Sequence, residues 1–291
     1  MISPEKVYLV SKSHPLNGRT AVLATKHQKG ALIAPIMESV IGMRVTEAEV
    51  DTDVLGTFAG EIQRQNGQLE TALHKARLGL EWSGATLGLA SEGSIGADPI
   101  LPFTVDLEIV AFVNIEENYE VWELNRSPDI IAKSICVRES DDLDAFLKSA
   151  DFPNHGVIVR PSDDVYSLVH KGIHNYETLK KSIAEVANVS ADSRVIIETD
   201  LRAHHCPSRR INIERASSKL ANRLKELCPS CLTPGWGVVQ MKRGLSCDWC
   251  GSKTSRIREQ VFGCVACEHE QAQPVAAGLT ADPKWCERCN P

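Results

Sequence analysis

Four Cys-x-x-Cys pairs crowd the last quarter of this 291-residue chain: Cys228/Cys231, Cys247/Cys250, Cys264/Cys267 and Cys286/Cys289. A two-residue gap lets both thiols of a pair reach one ion from a tight knuckle, and eight such thiols are what two tetrahedral Zn(Cys)4 sites require. The pairs are separated by 15, 13 and 18 residues, loops short enough to bring neighbouring pairs together. Sequential pairing is the simplest assignment, with the first four thiols on one Zn2+ and the last four on the other. Interleaved pairing would fuse the ribbons into one unit, and the spacing admits it. Disulfides, Fe–S ligation and an active dithiol are the competing uses of such thiols, with structural zinc the expectation. Metal binding would then supply folding energy that a small, loop-rich core could not. Residues 226–291 are therefore predicted to be a zinc-ribbon domain with two Zn(Cys)4 sites.

The preceding 225 residues suffice for one larger domain, and 43% apolar residues over the chain provide an ordinary core. No apolar run approaches membrane-spanning length and the first residues lack a signal peptide's apolar stretch, so no membrane partner and a cytoplasmic location with reduced thiols are expected. A formal charge of −6 argues against broad adhesion to nucleic acid. Lys242, Arg243, Lys253, Arg256 and Arg258 are the candidates for a local basic patch, and docking of the ribbons to protein or nucleic acid stays open.

Apolar periodicity predicts a mixed α/β fold, a central sheet with flanking helices, over residues 1–225. Thr20 to Thr25 reads as a buried strand, followed by the basic turn Lys26 to Gly30. Ala31 to Ile41 reads as a helix with Pro35 in its first turn. A helix N-terminus beside Lys26 and Lys29 is a place for a phosphate. Asp51, Asp53 and Glu61 follow in a loop and could support a cation. Leu69 to Leu80 carries one apolar helix face, with Glu70 near its start and Lys75 and Arg77 further along. Ala85 to Ala90 reads as a strand delivering Glu92 into a Gly/Ser-rich turn, Ser91 to Gly96. Two carboxylates, Glu70 and Glu92, can share a hard divalent cation.

Further on, Leu107 to Asn114 and Tyr119 to Leu124 read as a hairpin, Asp141 to Ser149 as a short helix, Val157 to Pro161 as a strand and Tyr176 to Val186 as a helix. The strand Arg194 to Glu198 delivers Asp200, Arg202, His204, His205, Cys206, Arg209 and Arg210 to the start of an amphipathic helix, Ile211 to Leu227. Asp200 can orient Arg202 or a histidine, and the arginines can present planar forks to phosphate oxygens. Salt bridging is the plain alternative, and a metal site from Asp200, His204, His205 and Cys206 another. No Ser-His-Asp or Cys-His-Asp nucleophile arrangement emerges from spacing alone.

Several of these segments resemble, in order, the house-cleaning nucleoside triphosphate pyrophosphatases, the inosine/xanthosine triphosphatase and septum-inhibitor superfamily. LATKHQK is similar to that family's Ser/Thr-Asn-x-x-Lys element, with Lys29 on its lysine. Glu70-Thr71-Ala72-Leu73-His74-Lys75-Ala76 is similar to its Glu-Asn-Ala-x-x-Lys-Ala helix, with Thr71 in place of asparagine. Ala90-Ser91-Glu92-Gly93-Ser94 resembles its acidic turn, with Ser91 in place of the first aspartate. His204 or His205 with Arg209 and Arg210 is a looser counterpart of its late Ser-His-Arg element. The whole chain also resembles a bacterial family of uncharacterised proteins with a Cys-rich tail.

The resemblance implies metal-dependent hydrolysis of a nucleoside triphosphate to monophosphate and pyrophosphate. Glu70, Glu92 and Lys75 would be its catalytic residues and Mg2+ or Mn2+ its catalytic ion. Lys29, His204, Arg209 and Arg210, joined by Lys26 and Arg202 from the basic turn and the arginine cluster, would hold a phosphorylated small molecule, expected to be a nucleotide. The alternative is a non-catalytic nucleotide-binding module, with the ribbons as an interaction surface for protein or nucleic acid.

Overall fold

A computed structural model describes residues 14–25, 29–48, 50, 67–98, 102–163, 168–275 and 278–290. Two sheets fill the region before the cysteine-rich segment. The first has five strands in the order β2-β1-β3-β4-β5: β1 (Thr20–Ala24), β2 (Arg44–Ala48), β3 (Leu87–Ala97), β4 (Thr104–Asn114) and β5 (Tyr119–Ser127). Strands β2, β1 and β3 run parallel, and β3, β4 and β5 form an antiparallel meander.

Helix α1 (Gly30–Ile41) joins β1 to β2, and α2 (Gln68–Ser83) precedes β3. Each ends on a glycine in the left-handed region, Gly42 and Gly84, which stops the helix without a Cβ penalty. Pro35 is the sixth residue of α1, past the first turn expected for it, and the helix continues through it.

The two faces of this sheet differ. On one, Leu32, Ile33, Met37 and Ile41 of α1 pack with Leu87, Leu89, Val110, Phe112 and Val121 of the strands and with a later helix, α5 (Pro207–Lys225). On the other, Ala72, Ala76 and Leu80 of α2 meet Ala90, Ile109, Ala111 and Val113. Strand alternation explains this division, since neighbouring residues point to opposite faces. Small residues bring α2 close: a Cβ at Gly88 would run into the Ala76 carbonyl and Leu80.

The Gly/Ser-rich stretch Ser91 to Gly96, expected as a turn, is the second half of β3. Every residue from Leu87 to Ala97 pairs with β4, so the backbone groups there belong to a ladder. Gly93 has a packing role, because a Cβ there would collide with Arg209 and Glu108.

Between β5 and α5 lies the second sheet, with its own core. Strands β6 (Ser134–Val137), β7 (Val157–Pro161), β8 (His170–Ile173) and β9 (Val195–Thr199) are antiparallel in the order β6-β9-β7-β8. Helices α3 (Asp144–Ser149) and α4 (Tyr176–Val189) cover it, burying Phe146, Leu147, Leu179, Ile183 and Val186 against Val157, Val159, Val195 and Ile197. The Asn175 side chain caps α4, accepting from the amides of Glu177 and Thr178. After β9 the chain returns through α5, which packs on the first sheet.

The cysteine-rich segment carries a third, antiparallel sheet of β10 (Gly237–Arg243), β11 (Ile257–Gly263) and β12 (Glu270–Pro274). None of the described helices is long and apolar enough to cross a membrane.

Candidate metal centres and anion site

The eight paired cysteines converge on two centres, and the pairing is interleaved. Cys228, Cys231, Cys264 and Cys267 bring their sulfurs within 4.8 Å of one another, as do Cys247, Cys250, Cys286 and Cys289. The sequential assignment is thereby corrected: pair one joins pair three, and pair two joins pair four. Strands β10 and β11 run antiparallel between the knuckles, and this hairpin carries the third pair back to the first.

Cys228 and Cys267 sulfurs are 3.9 Å apart and Cys231 and Cys264 3.5 Å. In the second centre Cys247 and Cys289 are 3.9 Å apart and Cys250 and Cys286 3.6 Å. A tetrahedron with Zn–S bonds of about 2.3 Å has edges of about 3.8 Å, so both quartets fit Zn2+ as free thiolates. Amides of Ser230, Ala266 and Cys267 donate to Cys228 and Cys264 sulfurs at 3.3–3.4 Å, which steadies the negative thiolates.

The first centre is joined to the main body. Cys228 comes three residues after the end of α5 and is fully buried, Val265 packs against the large core, and a Cβ at Gly235 would strike Val121 of β5. Arg223 of α5 donates to the Gly235 carbonyl at 3.2 Å and pairs with Glu123 at 3.0 Å. Near the second centre Trp249 is 76% exposed, and Trp285 lies under the Arg256 guanidinium at 4.9 Å.

A separate group of buried charges gathers at the carboxyl end of β1 and beside the middle of β3, where its pairing with β1 stops. Beyond β1 the chain turns through α1 to β2 on one side, whereas β3 lies on its other side and α2 covers the opposite face. Such a switch point leaves a crevice at the strand ends, where α/β proteins take ligands. Lys29, the residue before α1, is 7% exposed. Burial, and then the nearby Arg209 cation, push its ammonium down to about 8, against partial support from Glu108 and Glu92.

Glu92 lies two residues past Ala90, the last partner of β1, and its carboxylate is buried against Lys75 of α2 at 2.6 Å. These two expected residues are thus together, with Gln68 tying the start of α2 to the Glu92 and Leu107 carbonyls. Glu70 is exposed in the first turn of α2. Lys26, Asp51, Asp53 and Glu61 lie outside the described residues.

Arg209 is fully buried, donating to Glu108 at 2.5 Å and to the Leu201 carbonyl at 2.8 Å. Asp106 is fully buried on the same face of β4, held by Asn212 Nδ2 at 2.9 Å, and Asn125 donates to Asn212 at 3.4 Å. Burial first, and then the neighbouring Glu108 carboxylate, raise Asp106 to about 7. Sequence reasoning passes over Glu108 as a plain strand residue and begins that strand at Leu107, leaving Asp106 outside it. The signal is nonetheless present: in Thr104–Asn114 they alternate in register with Val110 and Phe112, which puts two acids on the core face.

Arg210 is half-buried on α5. Arg202 grips Asp200 with Nε at 2.9 Å and Nη2 at 2.5 Å, and Asp200 also accepts from the Gly172 amide. Burial opposes the Asp200 charge, but the Arg202 hydrogen bonds and charge hold its carboxyl below the usual range. Asp200 and Arg202 line a cavity of about 350 Å³ with Lys133, Glu198 and Leu201, at the small end for a ligand pocket. Its Leu201 wall is the one that Arg209 holds.

His204 packs against His205 with ring centroids 3.9 Å apart and the rings tilted by 49°, and His205 Nδ1 lies 2.8 Å from His174 Nε2. Burial, chiefly, lowers His205 to about 4. Among the described residues, the two cysteine quartets are the groups of three or more metal-capable side chains that converge, so Asp200, His204, His205 and Cys206 do not form the alternative metal site.

Spacing also gives no hint of a contact between the lobes. His155, before β7, bonds Asp151 at 3.0 Å and Ser208 Oγ at 2.9 Å, and accepts from the Ser208 amide at 3.2 Å. The accepted amide makes His155 a cap for α5, and the Ile131 amide donates to the Ser208 hydroxyl from the other side.

No curated protein and no solved structure matches this chain. A family model matches residues 75–291, beginning inside α2 and so including Lys75, Glu92, the second sheet and both cysteine quartets. The chain belongs to the family described as "Domain of unknown function (DUF6671)".

Proposed function

We propose that the α/β region is a binding domain for a phosphorylated small molecule, a nucleotide, and that the metal-bound tail docks it to a protein partner. The observation that carries this reading is Lys29: a buried ammonium on the residue that precedes α1, among the charges of Arg209, Glu108, Glu92 and Lys75 and in salt-bridge contact with no carboxylate among the described residues. Its depressed proton affinity means that its charge is under-compensated, and a phosphate dianion would supply the compensation. Arg209 and Lys75 add positive potential, while Glu108 and Glu92 keep the local balance near neutral.

Protein docking is favoured over nucleic acid by charge. Residues 226–291 contain seven Lys/Arg and seven Asp/Glu. Two Zn(Cys)4 centres then add about −2 each, giving a negative loaded tail. Trp249 and Trp285 are exposed beside the second centre, and aromatic side chains of this kind anchor protein interfaces.

The test is calorimetric titration of the zinc-loaded chain with pyrophosphate and with nucleoside mono-, di- and triphosphates. Saturable binding that disappears in Lys29→Met is expected. A wild-type chain that binds none of these would sink the reading.

Hydrolysis of a nucleoside triphosphate to monophosphate and pyrophosphate is the second reading, supported by the meeting of Lys75 and Glu92 from separate elements. Glu70 and Glu92 would hold Mg2+ or Mn2+, and Lys75 would have to yield its bond to Glu92. Pyrophosphate release that depends on Mg2+ and fails in Glu70→Gln and Glu92→Gln would support it; binding without product leaves the domain a receptor.

A further inference from the structure

Asp106 and Glu108 point to the same face of β4 and are both fully buried. Each has one oxygen secured. Asn212 donates to Asp106 Oδ2 at 2.9 Å, and Arg209 donates to Glu108 Oε1 at 2.5 Å. Their other oxygens, Asp106 Oδ1 and Glu108 Oε2, receive no bond from any N–H or O–H group among the described residues. The two carboxyl groups stand two residues apart on that one face, and Glu108 acts on Asp106 by its charge and through side-chain hydrogen bonding. Two carboxylates cannot bond; a carboxylic acid and a carboxylate can, and a single proton between them satisfies both orphan oxygens.

We propose that Asp106 and Glu108 share one proton, held between Asp106 Oδ1 and Glu108 Oε2, and that this pair couples anion capture at the strand ends to proton uptake. The second clause rests on the phosphate-binding reading above; the first does not. Arg209 fixes the negative charge on the Glu108 side, so Asp106 carries the acid form. The groups facing the pair are Arg209, Asn212 and the buried Cys206 thiol from the α5 side, with Arg215 behind Asn212, Asn125 and Ser127 from β5, and Lys29 before α1.

The consequence has a definite sign. With the proton in place, the cluster of Lys29, Arg209, Asp106 and Glu108 holds one negative carboxylate against two cations. Losing it adds a second negative charge beside the place the anion would occupy. An incoming phosphate opposes that loss and draws a proton from solvent. Burial and the Glu108 charge already raise Asp106 to about 7, so the exchange falls in the neutral range. Pyrophosphate affinity should then weaken by up to about tenfold per pH unit above that point. Lys29, at about 8, adds a fall of the same sign at higher pH.

Asp106→Asn separates the two effects. The carboxamide it introduces can accept from Asn212 through its oxygen and donate to Glu108 through its nitrogen, replacing the shared proton with a fixed one. Two measurements on the full, zinc-loaded chain test the proposal. In infrared titration, wild type should show a protonated-carboxyl band that disappears as pH rises through neutrality and is missing from Asp106→Asn. In calorimetry with pyrophosphate at pH 7.5, in buffers of different ionisation enthalpy, wild type should take up more protons than the variant.

An unchanged band in Asp106→Asn, or none in wild type at pH 5.5, overturns the shared proton. Equal proton uptake by both chains overturns the coupling. If wild type does not bind pyrophosphate, the coupling falls together with the anion-site reading, while the infrared titration still decides the pair. Should Asp106→Asn not fold, carbon-13 carboxyl labelling of aspartate in wild type must shift the band, and an unshifted band counts against the proposal.

Discussion

Arg209 is the largest side chain with essentially no exposure among the described residues, and its guanidinium lies against the Glu108 carboxylate. Removing either partner strands the other in a medium that cannot solvate it, at a cost of about 3–5 kcal/mol. Arg209→Ala and Glu108→Ala should therefore each lower the denaturation midpoint markedly. The double variant Arg209→Met/Glu108→Leu should recover much of the loss in urea titration, since both members of the pair are gone. Asp106 and Lys29 give opposite pH signatures. Asp106 is raised from 3.8 to about 7, so the stability it contributes is full below 3.8 and is lost as pH rises to about 7; Asp106→Asn should flatten that decline. Lys29 is lowered from 10.5 to about 8, so the unfolded chain binds more protons between those values and stability climbs with pH across that window. Lys29→Met should abolish the climb, as thermal melts from pH 7.5 to 10.5 would show.

At the scale of elements, patterning that records which side faces the core is readable and pairing across the sequence is not. The apolar stripe of α2, the hairpin of β4 and β5 and the strand β7 announce themselves because their periodicity is local. The second half of β3 does not, because Ser91, Gly93, Ser94 and Gly96 have turn-forming composition, and only pairing with β4 makes them a strand. The same limit explains the cysteines: Cys-x-x-Cys identifies the ligands, whereas the choice between neighbouring and alternate pairs depends on how the β10–β11 hairpin folds back. Lys75 and Glu92 are both candidates from sequence, yet their direct bond cannot be read there, nor can Glu108 as the partner of Arg209. Interleaving has a chemical test. With one equivalent of Zn2+ and partial alkylation, protection should travel together in Cys228, Cys231, Cys264 and Cys267, or in Cys247, Cys250, Cys286 and Cys289. Co-protection of Cys228, Cys231, Cys247 and Cys250 would contradict the arrangement described.

For the molecule as a whole, α5 is the member that every part touches. Its first turn accepts the His155 tie from the second sheet, its middle supports the first sheet, and its end runs into Cys228. At about 1.5 Å per residue its 19 residues span about 28 Å, so the anion cluster and the first metal centre sit at opposite ends of one rigid rod. Chelating the metal should therefore lower the melting temperature of the α/β region as well as unfold the tail, because Val265 and Gly235 would leave the surface of β5. Calorimetry showing the α/β transition unmoved after chelation would refute that linkage. Alternate pairing also sets a timetable for biosynthesis. Cys228, Cys231, Cys247 and Cys250 are made first, and they are four thiols able to seize an ion before their true partners exist. The first proper centre cannot close until Cys267 has been made, nor the second until Cys289 has. Maturation must then keep the early thiols empty or undo a premature quartet, and zinc supplied during translation is predicted to slow arrival at the native state relative to zinc supplied after it.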